Sequence, residues 1–292
     1  MMKIYAPAKI NLFLHVAGKR KDGYHNLVTL MCCIGLHDTV TLEFGVPETV
    51  ITCRDAKIPK DKTNLAYRAA ECFFTQLWMH HKMRPDHVAI HIDKRIPAAA
   101  GLGGGSSNAA AVVLGLNCYY GQPFSKTQLL TMGQSIGADV PFFIFRHPAI
   151  ATGIGERLEI YSGLQPYHIL LVHPGFEVST AEVYKNLDLG LTNCKKKLKK
   201  EVLQNNTFKP TNHLCNDLET VTVKRYPEIA LVKDALIRHG ATGALMSGSG
   251  PTVFGLFSDI RQAQNAREAL KQHRNWRFFL TNIIFEDRVM IT

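Results

Sequence analysis

PAAAGLGGGSSNAA, Pro97 to Ala110, is the stretch on which the reading of this chain turns. Gly101, Gly103, Gly104 and Gly105 run straight into Ser106, Ser107, Asn108 and an alanine-rich segment of helical character. Glycine reaches φ > 0 and lets backbone come close to a ligand. A helix start behind such a loop adds unpaired N–H groups and a partial positive charge, which together suit a phosphate. A glycine linker or a tight turn would use the same residues. The flanks favour the ligand: His87–Asp93 alternates Val88, Ile90 and Ile92 as a half-buried strand does, and Asn108–Leu114 continues as a helix. The loop is neither GxxxxGK[ST] nor GxGxxG, because no lysine follows and the last position falls on Ser106.

Outward from the loop, the pattern alternates strands and helices without βαβ regularity, so the fold class is α+β. Strands are expected over Met2–Ala17 (interrupted at Pro7), Leu27–Phe44, Pro141–Phe145, Ala149–Ile154, His168–His173, Thr242–Met246, Thr252–Phe257 and Phe278–Phe285. Helices are expected over Asn64–His80, Lys126–Ile136, Thr180–Leu187, Pro227–Arg238 and Ile260–His273. Glycine, charge and proline interrupt the pattern over Gly153–Pro166, which marks a domain boundary.

The chain has 292 residues and a net charge of +10, which suits an anionic partner. Its basic residues are scattered except for Lys195–Lys197, Lys199 and Lys200, a run read as a solvated loop. No apolar run reaches the roughly 18 residues of a membrane helix. The N-terminus enters strand-like sequence with no signal or transit segment, so a cytoplasmic protein is expected. Seven cysteines, none in a CxxC pair, read as reduced and mostly buried thiols. Adjacent Cys32 and Cys33 would point to opposite faces of a strand.

Two residues outside the loop carry chemical interest. Asp139, in GADVPFF, is the first carboxylate after Asn108, so it is a candidate to act on a nucleophile if the loop holds a triphosphate. It could equally be a helix-end solubiliser. Lys9, in APAKINLFLH with Asn11 on the same strand face, either reaches to water or is held inward. Held inward it would need an anion such as Asp139 or a phosphate. Tyr24 and His25 in DGYH offer a flat face and a ring donor or acceptor, which a pyrimidine would use; they also fit an ordinary hairpin.

APAKINLFL, DGYHNL, the glycine loop, GADVPFF, HPGFEVSTAEVY (His173–Tyr184) and ALMSGSGPTVFGLF (Ala244–Phe257) together resemble the galactokinase–homoserine kinase–mevalonate kinase–phosphomevalonate kinase (GHMP) superfamily over nearly the whole chain. Within it the resemblance is closest to the branch that phosphorylates the 2-hydroxyl of a cytidine-diphosphate-linked methylerythritol, in the non-mevalonate route to isoprenoid precursors. It implies an S5-like ATP-binding domain over 1–156 and a ferredoxin-like domain over 157–292, the last strand free to pack on the first domain. It implies ATP as co-substrate over Pro97, Ala98, Ala99, Ala100, Gly101, Leu102, Gly103, Gly104, Gly105, Ser106 and Ser107. Asp139 would be the catalytic base and Lys9 its partner. Asn11, Tyr24, His25, Thr180, Tyr184, Ser247, Gly248, Ser249 and Gly250 would bind the acceptor, with the cytosine on His25 between Tyr24 and Tyr184. Mg²⁺ is expected with ATP, held by Ser106 or Ser107, phosphate oxygens and water, with no carboxylate ligand assigned and no resident metal site. The partners expected are the cytidylyl substrate and ATP, without nucleic acid or membrane, in a monomer or weak homodimer. Another small alcohol such as homoserine or mevalonate is the alternative acceptor. A basic RNA-binding module is the alternative of another class.

Overall fold

The computed structural model describes residues 1–192, 194 and 207–285. The lysine run at Lys195–Lys200 lies outside them. Among the described residues, no helix is long and apolar enough to cross a membrane.

The chain runs β1 (Met2–Lys19), β2 (His25–Val46), β3 (Val50–Cys53), α1 (Leu65–His81), β4 (His87–Asp93), α2 (Gly104–Tyr119), α3 (Lys126–Ile136), α4 (Val140–Phe145), β5 (Ala149–Gly153) and β6 (Arg157–Ile160). It continues through β7 (His168–His173), α5 (Thr180–Lys185), α6 (Pro210–His213), β8 (Cys215–Asn216), α7 (Glu219–Arg225), α8 (Glu228–Arg238), β9 (Gly243–Met246), β10 (Val253–Phe257), α9 (Ile260–Leu270) and β11 (Arg277–Asn282). The first sheet has the order β3-β4-β2-β1-β8, with β5 paired to β2 and β6. The second is antiparallel in the order β11-β7-β10-β9.

Three apolar clusters stack these layers. One lies between the first sheet and helices α1–α4, with Phe73, Val113, Phe142 and Phe143 among its members. A second lies between the two sheets, where Ala8, Ile10 and Leu12 meet Ile169, Leu171 and Phe254. The third joins the second sheet to helices α5, α8 and α9 through Val183, Leu236 and Ala266. A sheet covered on both faces needs apolar side chains on both, which is why β1 is buried almost continuously from Ala6 to Leu14. Cys32 and Cys33 fall in different clusters, as expected for neighbours on one strand.

The two halves are interlocked. β8 pairs in parallel with Phe13 and Leu14 of β1, and an isolated bridge joins Ile34 to Ile283 beyond β11. The division expected at residue 156 falls inside the β5–β6 hairpin, and the chain passes to the second sheet between Ile160 and His168.

Three local readings need correction. Pro141–Phe145 is helical, not extended. A short apolar run does not distinguish the two, and Pro141 fits the first helical turn, where its missing N–H costs nothing. Helix α2 begins at Gly104, inside the glycine loop rather than behind it. Two of the seven cysteines are not free thiols: Cys194 and Cys215 are joined by a disulfide, S–S 1.97 Å, while Cys72 and Cys118 are not buried.

Candidate active site

A cavity of about 1040 Å³ opens between the glycine loop, β1, the turn before β2, α5 and the loop after β9. Pro97–Gly101, Gly103–Ser106, Lys9, Asn11, Tyr24, His25, Asp139, Thr180, Tyr184, Gly248 and Ser249 all line it. Segments scattered over the whole sequence therefore meet in one place. Among the described residues Asp139 is the only carboxylate on its wall, against Lys9, Lys19, Lys94 and Lys185. Such a wall favours a polyanion.

The glycine loop is built to present backbone N–H groups. The first α2 hydrogen bond runs from Ser107 N to Gly103 O at 2.9 Å, so the N–H groups of Gly104, Gly105 and Ser106 precede it and have no partner within the helix. Gly103 caps the helix at φ +71, where a Cβ would lie 2.8 Å from the Phe143 ring. Ala99 holds φ +48 on the same stretch, a strained value for a residue with a side chain.

Both sides of the loop are clamped. On one side Lys9 N donates to Leu102 O at 3.0 Å. On the other the Ser247 hydroxyl donates to Gly101 O at 2.9 Å. Ser247, Leu102 and Ser107 are thus buried supports rather than cavity wall, and Gly250 also lies off the wall. Asn216 Nδ2 in turn donates to Met246 O and Gly248 O at 2.8 and 2.7 Å, which fixes the SGSG loop.

A third support had no contiguous motif to mark it. Asp38, fully buried in β2, accepts Arg95 N and Ile96 N at 2.8 and 2.9 Å, Lys94 Nζ at 2.5 Å and Asn108 Nδ2 at 2.9 Å. This carboxylate ties the entry of the loop to the first turns of α2. Its only signal in the sequence is an acid inside an otherwise strand-like stretch, which burial requires to be paired.

Lys9 and Asn11 point to the helix side because β1 changes face. Ile4 and Ala6 pack on the helix cluster, but past the register shift at Pro7/Ala8 it is Ala8, Ile10 and Leu12 that pack on the other sheet. The odd-numbered neighbours then turn to the cavity. Lys9 is 4 % exposed, its Nζ 2.5 Å from Asn11 Oδ1 and 3.9 Å from Asp139 Oδ2. Burial lowers the Lys9 pKa from the ordinary lysine value, and the Asp139 charge opposes that shift. Asp139 stands at the N-cap of α4 without a capping bond, its side chain 40 % exposed and open to the cavity.

At the other end of the cavity, Asp22 shapes the turn. It accepts Tyr24 N at 3.1 Å while Gly23 takes φ +87. His25 follows, with its ring stacked on Tyr184 at 5.2 Å and 30°. Burial first, then the Lys19 charge, lower the His25 pKa, which favours a neutral ring with one donor and one acceptor. Burial, then the Asp139 charge, raise the Tyr184 pKa, so its hydroxyl keeps its proton. The stacking partner of Tyr184 is thus His25 itself, and Tyr24 stands 58 % exposed on the cavity wall. Thr180 Oγ1 lies 2.8 Å from Ser249 Oγ, joining α5 to the SGSG loop.

With this geometry in place, similarities to known proteins become informative. The family model for the GHMP kinase N-terminal domain matches residues 64–147, and that for the C-terminal domain residues 198–275. A 4-diphosphocytidyl-2-C-methyl-D-erythritol kinase of Syntrophotalea carbinolica is 47% identical over 96% of this chain and 98% of its own. Its namesake in Acetivibrio thermocellus is 41% identical over 97% and 99%. A crystal structure of 4-(cytidine 5'-diphospho)-2C-methyl-D-erythritol kinase superposes with a TM-score of 0.78 at 34% identity, covering 96% of this chain and 98% of that one. A homoserine kinase from Cytophaga hutchinsonii shares the fold at 18% identity, TM-score 0.74, covering 98% and 95%. The chain belongs to the GHMP kinases, a family of small-molecule kinases, in the group of its 4-diphosphocytidyl-2-C-methyl-D-erythritol kinase relatives.

Proposed function

We infer that the protein transfers the γ-phosphoryl group of ATP to the 2-hydroxyl of 4-diphosphocytidyl-2-C-methyl-D-erythritol, giving the 2-phosphate and ADP. The observation that carries this reading is the meeting, in one cavity, of the helix-α2 amide cradle, the Lys9–Asp139 pair and the His25–Tyr184 ring pair. Each suits a different part of the two substrates.

The triphosphate lies over the N–H groups of Gly104, Gly105 and Ser106, where partial positive charge meets anionic oxygens. The acceptor hydroxyl lies between that cradle and Asp139, which takes its proton as the new P–O bond forms. The Lys9 ammonium compensates the negative charge that gathers there. Phosphoryl transfer has a loose transition state, so placement and charge compensation supply most of the rate. The neutral His25 ring reads the edge of the cytosine, with the Tyr184 and Tyr24 faces beside it. Mg²⁺ bound with ATP would supply further charge neutralisation. The donor set fits a water-rich magnesium: Ser106 lines the cavity, and among the described residues Asp139 is the only carboxylate on the wall, which leaves phosphate oxygens and water as the other ligands. One chain supplies every residue invoked, so a single copy suffices.

Incubation with ATP and the cytidylyl alcohol is expected to release ADP and form one phosphomonoester, while homoserine and mevalonate give background turnover. Equal turnover of either control would overturn the assignment of the acceptor. RNA binding without ATP turnover would move the protein to the other class.

A pH dependence follows from the Lys9 shift. The ammonium compensates charge only while protonated, and burial lowers the pH at which the proton leaves. The alkaline limb of kcat/KM, which reports the free enzyme, is therefore expected to fall below pH 10.5, the ordinary lysine value. A kcat/KM profile flat through pH 10.5 would remove the Lys9 charge from the mechanism.

A further inference from the structure

Beside Lys9 and Asn11 on the cavity wall lies a threonine with no part in any of the motifs. Thr29, on β2, is 2 % exposed and its hydroxyl makes two bonds. It donates its single proton to Phe13 O at 2.6 Å. Toward Asn11 Nδ2, 2.9 Å away, it can then only accept. An amide whose N–H₂ group is committed to that oxygen presents Oδ1 on its other side, and Oδ1 is the atom 2.5 Å from Lys9 Nζ. The reversed amide would set N–H donors against an ammonium.

The strands are shaped to permit this chain of bonds. Asn11 pairs with Met31 but Phe13 with Leu30, so β1 spends two residues where β2 spends one. Bulges of this kind leave ladder groups in need of partners and re-aim side chains beside active sites. Here the Phe13 carbonyl at the bulge takes the Thr29 hydroxyl.

We propose that Thr29 is a positioning residue for phosphoryl transfer: through the Asn11 amide it fixes where the Lys9 ammonium stands beside Asp139. This rests on the roles given above to Lys9 and Asp139. A hydroxyl two hydrogen bonds removed from the Lys9 ammonium acts on turnover and not on nucleotide capture. An ordinary core threonine would instead affect stability alone.

Thr29→Val keeps the shape and removes the hydroxyl. It is expected to lower kcat about tenfold, the scale of one lost buried hydrogen bond, with KM for ATP within about twofold of the parent. Thr29→Ser restores the hydroxyl and should recover kcat to within about twofold. In an Asn11→Ala background, Thr29→Val should cost nothing further, because its route is already cut. Melting curves of each variant separate folding losses from kinetic ones, and the serine variant keeps the test decisive if valine folds poorly. Unchanged kcat in Thr29→Val, a serine variant as impaired as valine, or additive losses with Asn11→Ala would each overturn the proposal. An Asp139→Asn variant as active as the parent would instead overturn the roles beneath it.

Discussion

Asp139→Asn is expected to lower kcat by about 10²–10⁴-fold, the usual contribution of a positioned general base, with little change in ATP affinity. The asparagine keeps the volume and the α4 N-cap position while losing the proton acceptor. Its neutral amide also leaves Lys9 Nζ buried without the carboxylate 3.9 Å away. That second loss acts in the same direction, because an ammonium deprived of its anion gives up its proton more readily. ATP affinity has a separate source, the amide cradle at Gly104–Ser106 and the lysines on the wall. Steady-state kcat and calorimetric titration with ATP therefore answer different questions. Near-normal turnover would take Asp139 out of the chemistry, and a large loss of ATP affinity would recast it as part of the nucleotide site.

The parts of the site that were legible in the sequence are those written contiguously. The glycine loop, Asp139 after an acid-free stretch, Lys9 with Asn11, and DGYH each sit within a few residues, and all of them meet in the cavity. What could not be read is direction. Counting alternation along β1 from Ile4 puts Lys9 on the face opposite Ile4; the shift at Pro7/Ala8 turns it toward the helices instead. Leu102, Ser107 and Ser247 lie inside the right motifs yet face inward, since a loop that presents its amides must anchor its other side. Asp38 and Thr29 act through partners 57 and 18 residues away in sequence, at Arg95 and Asn11. Long-range pairing of that kind is settled by strand register, and local pattern carries no record of it. The helix Val140–Phe145 was hidden for another reason: six residues without periodic polarity fit either element.

Gly101→Ala tests the clamp on the cradle and is expected to damage folding and catalysis together. A Cβ at Gly101 would stand 2.1 Å from Ser247 O, 3.0 Å from Gly250 N and 3.1 Å from Gly250 O. All three are backbone atoms, so no side chain can swing aside to relieve the contact. The residue also holds φ +75, which costs a non-glycine of order 1–3 kcal/mol. Overpacking adds about 1–3 kcal/mol. Relief requires the glycine loop to part from the SGSG loop, breaking the Ser247 hydroxyl bond to Gly101 O. A penalty of several kcal/mol is a large share of a typical folding free energy of about 5–15 kcal/mol. At a few degrees per kcal/mol, the melting temperature should fall by roughly 5–10 °C, with KM for ATP rising as the cradle shifts. Gly105→Ala is the matched control, because its Cβ would meet only Leu65 Cδ1, at 3.8 Å, from within helix α2. Exchanging glycine for alanine inside a helix stabilises by about 0.5–1 kcal/mol, so that variant should melt no lower than the parent even if its methyl group obstructs ATP. A Gly101→Ala protein that melts with the parent and binds ATP as tightly would show that the two loops are not clamped where Ser247 meets Gly101, and the cradle would then owe its shape to Asp38 and Lys9 alone.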